Sequence, residues 1–487
     1  MSEDAGINEI VDRRMFYYPG FSIYNEMSGF YDYGPIGLRI RRNVESAWRN
    51  LFVERLGSLE IESTTILPEA VLRASGHVAT FTDPIAECSK CGTAYRIDKL
   101  LEEFYEKQND SASLNAVKKL TIDEMEEGIG RNNILCQKCG GKLTKVERFN
   151  LMFKTNVGHK DDVAYLRPET AQGVFLDFKD IFRAYGMKLP SAICQVGKAY
   201  RNEISPRQRL VRMREFTQME TELFFDPEQQ QEQLNRMPLD EMLKTKVRFV
   251  PAGQENAIEL SLADLVKEKL IPNKFFGAML HLEHRLLAHL GIPDDKYRFR
   301  QLEKEELPHY SKGNVDLELS TEYGFIEVAG NAYRGDYDLS AHAKSSNSDI
   351  SVVNDGRKLT PHVIEASIGL DRLMLALLSN SVANDGRGWS WLKIPESIAP
   401  YKYAIFPLQK DEKLVGKALE LHNRLHDLGI TSYYSETGSI GKRYAKADEM
   451  GVPYCITVDF QSLEDGTATV RIRDTTKQER KGIGEIS

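Results

Sequence analysis

Between Ile36 and Gly57 the apolar residues Ile40, Val44, Trp48, Leu51 and Phe52 recur at helical spacing with charges between them. That spacing predicts an amphipathic helix, opened by Gly34 and Pro35 and stopped by Gly57. "FFGAMLHLEHRLLAHLG" predicts another, closed at Gly291, and "SIGLDRLMLALLS" a buried one entered at Gly369. "RFNLMFKT", "AYLRPE", "AICQVGKAYRNE" and "EFTQMETELFF" mix β-branched, aromatic and alternating polar residues, which predicts strands. "GNVDLELSTEYGFIEVAGNAYRGDYDLSAH" predicts strands broken by glycine. Residues 86–148 read as a polar, helical insertion, and about 226–312 as a second one of mixed signals. Pro395 and Pro400 bracket a linker, after which strand and helix alternate from "YKYAIFPL" to "PYCITVDF". Such alternation predicts a small α/β domain over 400–487.

Composition narrows this picture only a little. A chain of 487 residues has room for several domains. Its 41% hydrophobic and 28% charged residues are those of a globular protein outside the membrane. The chain has no apolar run long enough to span a bilayer, and "MSEDAGINEIVDRR" lacks the apolar stretch of a secretion signal. The expected compartment is the cytoplasm. A net charge of −8 does not exclude nucleic acid, because a local basic surface is enough to bind it.

Four of the six cysteines form two pairs, Cys88-Ser-Lys-Cys91 and Cys136-Gln-Lys-Cys139, each followed by glycine. Together they offer four thiolates, the donor set of a structural zinc. Two unrelated reduced pairs, or a redox Cys-x-x-Cys, are the alternatives. Cys194 and Cys455 lie in apolar strands and read as core thiols.

Charge is most concentrated from Val196 to Phe224, where Lys198, Arg201, Arg207, Arg209, Arg212 and Arg214 alternate with Glu203, Glu215, Glu220 and Glu222. The pattern predicts strand, loop and strand. Arg201 and Glu203, two apart, would share one side of the first strand, and Phe216, Gln218, Glu220 and Glu222 one face of the second. Arginines at the hinge suit a polyphosphate, and an adjacent aromatic can stack on a base. A surface hairpin with cross-strand ion pairs explains the same charges, and charge alone does not choose.

"RPETAQG" (Arg167 to Gly173), "RNEISPR", "RMREFTQME" and "VIEASIGLDR" favour the first reading when taken together. With them the chain resembles the class II aminoacyl-tRNA synthetases, and among these the glycyl-tRNA synthetase family of the dimeric archaeal and eukaryotic type. The first class II motif corresponds to "YDYGPIGLRIRRNVESAWRN", the second to "GKAYRNEISPRQRLVRMREFTQME" and the third to "PHVIEASIGLDR". The resemblance spans nearly the whole chain. It implies an α+β fold with an antiparallel-sheet catalytic core over 1–85 and 149–395, a zinc-bearing insertion over 86–148, and a C-terminal anticodon-binding domain. It also implies an ATP-dependent ligase that makes glycyl-adenylate and pyrophosphate, then moves glycine to the 3′ end of tRNA(Gly). A homodimer is implied as well, with the Ile36 helix at its interface.

The resemblance further implies residue roles. Arg201 would bind the α-phosphate and Glu203 the adenine amino group. Phe216 would lie under the adenine, with Arg372 over its other face and reaching the γ-phosphate. Arg212 would hold the β- and γ-phosphates, and Glu327 a magnesium ion, while Asn202, Met213 and Val328 complete the ATP site. Glu169, Glu220, Glu365 and Ser367 would surround glycine, with Arg96 and Arg334 as partners for its carboxylate. Carboxylates suit an ammonium group and fill the space a side-chain methyl would need, so an editing domain is not required.

Two positions depart from the family pattern: Ala366, where proline is usual, and Tyr333, where aspartate or asparagine is usual. They put in question the local backbone at the one and the positioning of Arg334 at the other. Lys442, Arg443 and Lys446 open a C-terminal helix that is either an RNA-backbone contact or a solvated face. Two rivals remain at this stage. One is a class II synthetase for threonine, proline or histidine. The other is a non-catalytic RNA-binding relative, which should have lost one or more of Arg201, Glu203 and Arg372.

Overall fold

The computed structural model describes residues 6–24, 27–159, 162–204, 206, 208–229, 233–234 and 237–487. Its centre is a nine-stranded sheet. In chain order the strands are β1 (Leu59–Ile61), β2 (Ser191–Tyr200), β3 (Glu215–Phe225), β4 (Lys246–Val250), β5 (Ile258–Ser261), β6 (Tyr297–Gln301), β7 (Asn314–Thr321), β8 (Gly324–Gly335) and β9 (His362–Gly369). The spatial order is β5-β4-β6-β7-β8-β9-β3-β2-β1. Every neighbouring pair is antiparallel except β4–β6 and β1–β2. The stretch 226–312, expected as an insertion, therefore does not stand apart. Its strands β4, β5 and β6 extend the same sheet, because β6 pairs along its length with β7.

Helices pack on the sheet and in the flanking units, among them α1 (Ile7–Arg14), α2 (Pro35–Arg49), α3 (Ile97–Lys107), α4 (Ala171–Ala184), α5 (Lys274–His289), α6 (Tyr337–Ser346), α7 (Leu370–Ser381), α8 (Glu412–Asp427) and α9 (Ile440–Glu449). The helix expected from Ile36 is α2, with Pro35 at its first turn and Ile40, Val44 and Trp48 buried. It widens into a π-type turn over Asn50–Arg55, which buries Leu51 and Phe52 and stacks Phe52 on Trp48 at 5.4 Å. Gly57 then takes φ +70°, a left-handed stop that glycine adopts without strain. On α5 the Asn273 side chain accepts from the Phe276 amide and caps the start. The same helix buries Glu283 against β8, where Asn331 Nδ2 donates to Glu283 Oε2 at 3.0 Å. Burial pushes the Glu283 carboxyl up to about 8, against the opposing hydrogen bond from Asn331.

The cysteine-bearing insertion stands on a small sheet of Thr82–Glu87, Ala94–Arg96 and Glu147–Asn150, and has its own core around Ile97, Leu101, Met125 and Val146. The C-terminal domain is a five-stranded sheet of β10 (Tyr403–Pro407), β11 (Ser432–Tyr434), β12 (Tyr454–Val458), β13 (Thr467–Ile472) and β14 (Gln478–Gly482), with α8 and α9 packed on it. The linker before it is anchored: Ile398 is buried and Asn43 of α2 donates to the Ala399 carbonyl at 2.9 Å. Asp12 on α1 accepts from Arg209 at 2.8 Å, while Arg13 and Arg14 reach Glu449 at the end of α9 at 2.8 and 2.5 Å.

Candidate active site

β2 and β3 form the expected hairpin, in a register that sets Tyr200 opposite Glu215 and Gln195 opposite Glu220. β2 ends at Tyr200, so Arg201 and Glu203 do not share a strand face as expected. They come together because the chain turns sharply there, with the Glu203 amide bonded to the Arg201 carbonyl at 2.7 Å. Both line a cavity of about 440 Å³ together with Arg212, Met213, Phe216, Glu327, Val328 and Arg372.

The Arg201 guanidinium lies 5.2 Å from the centre of the Phe216 ring and 5.3 Å from that of Phe81. Such cation–aromatic contacts hold a charge without neutralising it. Arg372, on α7, donates to the carbonyls of Val211 at 2.8 Å and Glu327 at 2.9 Å, and its guanidinium is 3.2 Å from the Glu327 carboxylate. Glu203 Oε2 is buried without a hydrogen-bond partner, 3.7 Å from Arg212. Asn202 lies outside the cavity lining and its amide donates to the Leu151 carbonyl at 2.6 Å. Next to Glu327 the cavity contains Asp316, a residue the sequence did not single out. Burial first, and then the Glu327 charge, raise Asp316 to about 8. Burial acts on Glu327 in the same direction, but Arg372 and Arg201 outweigh it and hold its carboxyl below its ordinary value.

The other end of the cavity is made of carboxylates. Glu169, Glu365 and Ser367 line it, and Glu220 lies just beneath. Strand register explains the grouping: Glu222 opposes Glu365, and Glu220 opposes Ser367, on one face of β3 and β9. Ligand oxygens of Glu220, Glu222 and Glu365 all fall within 4.8 Å of one another. Glu222 was on the expected face without a role. It is wholly buried, and neither carboxylate oxygen has a hydrogen-bond partner. Burial, reinforced by Glu365 and Glu220, raises its pKa well above the carboxylate range. Burial, and then the Glu169 charge, also raise Glu220, which accepts a hydrogen bond from Thr170. Glu365 is pushed to about 8 by burial, with Arg334 pulling the other way.

Arg334 is a buried arginine that meets this cluster. It contacts Glu365, approaches Glu169 at 3.5 Å and forms a fork with Asp338 at 2.7 and 3.0 Å. The Tyr310 ring lies 3.9 Å from its guanidinium. A bulge aims it: pairing between β8 and β9 slips between Tyr333 and Gly335, so Arg334 has no cross-strand partner, and Gly335 takes φ +60°. Glu169 also has His77 at 3.4 Å and the Gln172 amide at 2.8 Å. Burial opposes its charge, but His77 and Arg334 hold it far below its ordinary value.

Both departures from the family pattern lie away from the cluster. Ala366 is wholly buried in the main core, on the strand face opposite Glu365 and Ser367, and the ladder is continuous there. Tyr333 bonds His362 at 2.5 Å. The structure does not bring Arg96 to the glutamates. Arg96 pairs with Asp83 at 3.0 Å and Asp98 at 2.5 Å and lines a neighbouring cavity, because the insertion's base sheet holds it near Arg212 and Arg372. His77, Phe81, His309 and Tyr310 also line the site, with no charge or spacing signal in the sequence to reveal them.

Away from the cavity, the four cysteine sulfurs converge, with Cys88–Cys139 at 3.5 Å, Cys91–Cys136 at 3.6 Å and Cys136–Cys139 at 3.7 Å. A tetrahedral zinc with bonds of roughly 2.3 Å needs sulfur–sulfur edges of about 3.8 Å, so the donors fit. Cys194 and Cys455 are buried, as read. Arg443 is a structural cation, donating to the carbonyls of Pro407 at 2.5 Å and Leu408 at 3.1 Å, and Lys446 bonds the Tyr433 hydroxyl at 2.8 Å. Lys442 is exposed. Arg214 donates to the carbonyls of Glu203 at 3.1 Å and Ser28 at 2.8 Å, while Arg207 lies outside the described residues.

Residues 152–381 match the family described as tRNA synthetase class II core domain (G, H, P, S and T), and residues 402–487 match the anticodon binding domain. A prolyl-tRNA synthetase from Giardia lamblia, solved with prolyl-adenylate, superposes with a TM-score of 0.60 over 98% of this chain and 75% of that one, at 15% identity. That likeness speaks to the fold. Full-length sequence relatives go further. The glycine–tRNA ligase of Pyrococcus furiosus is 38% identical, covering 99% of this chain and 97% of its own. Those of Aeropyrum pernix and Methanothermobacter thermautotrophicus are 37% and 35% identical, with coverage of 96% of each relative. Identity at that level across both domains, joined to a cavity with an arginine end and a glutamate end, places the chain in the glycine–tRNA ligase family.

Proposed function

We propose that the chain activates glycine with ATP and transfers it to the 3′ end of tRNA(Gly). The observation that carries this reading is one cavity with two chemically opposite ends: Arg201, Arg212 and Arg372 at one, Glu169 and Glu365 at the other. A glycine carboxylate oxygen attacks the α-phosphorus, the bond to the bridging oxygen breaks, and the electron pair leaves with pyrophosphate. Arg201 stabilises charge on the α-phosphate, and Arg212 and Arg372 hold the β- and γ-phosphates. Phe216 supports the adenine, and the unpartnered Glu203 Oε2 accepts from its amino group. Met213 and Val328 pack beside the nucleotide. Glycine's ammonium sits among Glu169, Glu220 and Glu365, near Ser367, with Arg334 fixing the carboxylates. No separate base is needed, because the nucleophile is already ionised. A hydroxyl of the terminal ribose of tRNA then attacks the carbonyl carbon, the bond from that carbon to the phosphate oxygen breaks, and AMP leaves with the electron pair while its phosphate takes up the hydroxyl proton.

Magnesium would be held by Glu327, with Asp316 beside it, and would offset phosphate charge. Cys88, Cys91, Cys136 and Cys139 would bind a structural zinc, measurable as one zinc per chain that is lost in Cys136→Ser. The active form is a cytoplasmic homodimer meeting at α2, and a fully active monomer in sedimentation would overturn that part. The decisive assay is pyrophosphate exchange with glycine and alanine side by side. Glycine alone should support it. Equal exchange with alanine, or none with either, would overturn the assignment.

A further inference from the structure

A second cavity, of about 290 Å³, adjoins the catalytic one and shares Val211, Arg212 and Arg372 with it. Its opposite wall belongs to the cysteine-bearing insertion: Arg96 and Lys99 at the start of α3, and Gln137 between the second pair of cysteines. Four cations thus converge, Arg96, Lys99, Arg212 and Arg372, against a single lining carboxylate, Glu103. Gln137 Nε2 donates to Glu103 at 3.0 Å and occupies part of it. The acids that pair with Arg96 and Lys99, namely Asp83, Asp98 and Glu102, are not part of the lining.

This geometry has a direct bearing on the leaving group. In an in-line displacement the pyrophosphate departs on the side of phosphorus opposite the attacking oxygen. The glycine end is closed by the buried glutamate cluster. Departure is therefore toward Arg212 and Arg372, and the space beyond them is the second cavity. From the shared arginines and the two insertion cations, we infer that this cavity receives the pyrophosphate product, with Lys99 and Arg96 drawing it off the catalytic arginines. The inference rests on the glycine-activating reading. It makes the insertion part of product release as well as a zinc-bearing fold.

The test is inhibition of adenylate formation by added inorganic pyrophosphate, measured on the full chain at saturating glycine. Lys99→Glu should raise the pyrophosphate inhibition constant by about fivefold, the upper range for an ion pair open to solvent. Lys99→Arg should restore it. Lys107→Glu, on the exposed far end of the same helix, should leave it unchanged. An unchanged constant in Lys99→Glu overturns the inference. So does an equal rise in the KM for ATP, which would assign the cavity to the tail of the bound nucleotide. A rise confined to the KM for tRNA would assign it to RNA and also overturn it. The underlying reading fails separately, if the unaltered protein shows no glycine-dependent exchange.

Discussion

The two ends of the catalytic cavity hold charge in different ways. At the proposed nucleotide end, Arg201 and Arg372 are partly exposed; Arg201 rests on aromatic rings and a backbone carbonyl, while Arg372 pairs with the single carboxylate of Glu327. At the amino-acid end, Glu169, Glu220, Glu222 and Glu365 are buried around one arginine. Carboxyls that close, out of water, cannot all ionise. The arginine end is ready before ATP arrives. The glutamate end has more carboxyls than Arg334 can balance, and an ammonium group supplies further positive charge. A substrate with no side chain can thus be chosen by the charge it brings and by the space it leaves empty.

Arg334→Met should have the largest effect on this contrast. It strands the buried carboxylates and should cost about 3–5 kcal/mol of stability, as breaking a buried pair does. Thermal melting measures the loss, and an unchanged melting temperature would mean that the cluster does not depend on this cation. Next comes Arg201→Ala, which should lower the rate of adenylate formation by about 10²–10³-fold, the range for removing one preorganised charge donor. The KM for glycine should change little, because Arg201 belongs to the other end. A large change in that KM would merge the two ends into one.

A smaller effect should appear in the pH dependence of glycine binding. Glu365 titrates as part of its cluster near 8, and the ionised form is the one that attracts an ammonium. The KM for glycine should therefore fall by up to about tenfold per pH unit as pH rises toward 8, then level off. A flat profile from pH 6.5 to 8.5 would show the cluster already ionised. Glu283→Gln, behind the same strands, should have the least effect on activity. Its carboxyl stays protonated in the fold up to about 8 but ionises near 4.5 when unfolded, so the folded state binds the extra proton between those values. Stability falls with rising pH across that window, by at most about 1.4 kcal/mol per unit. Glutamine keeps the acceptor for Asn331 and removes the titration, so denaturant midpoints between pH 5 and 8 should flatten. Identical slopes in both proteins would place the titration elsewhere.

Much of this was legible where local pattern decides structure. The α2 periodicity, the β2–β3 hairpin and the paired cysteines are short-range signals, and each appears in the fold. The glycine-end glutamates come from three separate stretches, and the family resemblance alone gathered them. What could not be read depends on register and packing. Arg334 points inward because of a one-residue bulge. Asp316 and His77 join the site through strands and helices far away in the chain. Glu222 looked like one more member of a polar face until its lack of any partner appeared. Arg96, expected as a partner for glycine's carboxylate, lines the neighbouring cavity, and its pairing with Asp83 depends on how the insertion folds back. Residues 226–312 carried mixed signals because they alternate between sheet extension and the covering helix α5.

The N-terminal helix α1 has a mechanical consequence. One of its side chains grips the loop between β2 and β3, and the next two grip the end of α9 in the C-terminal domain. Those three residues, Asp12, Arg13 and Arg14, are consecutive and all lie in its last turn. That single turn is therefore a rivet between the loop and the C-terminal domain. A tilt of the C-terminal domain pulls, through that one turn, on the loop that bears Arg209 and Arg212.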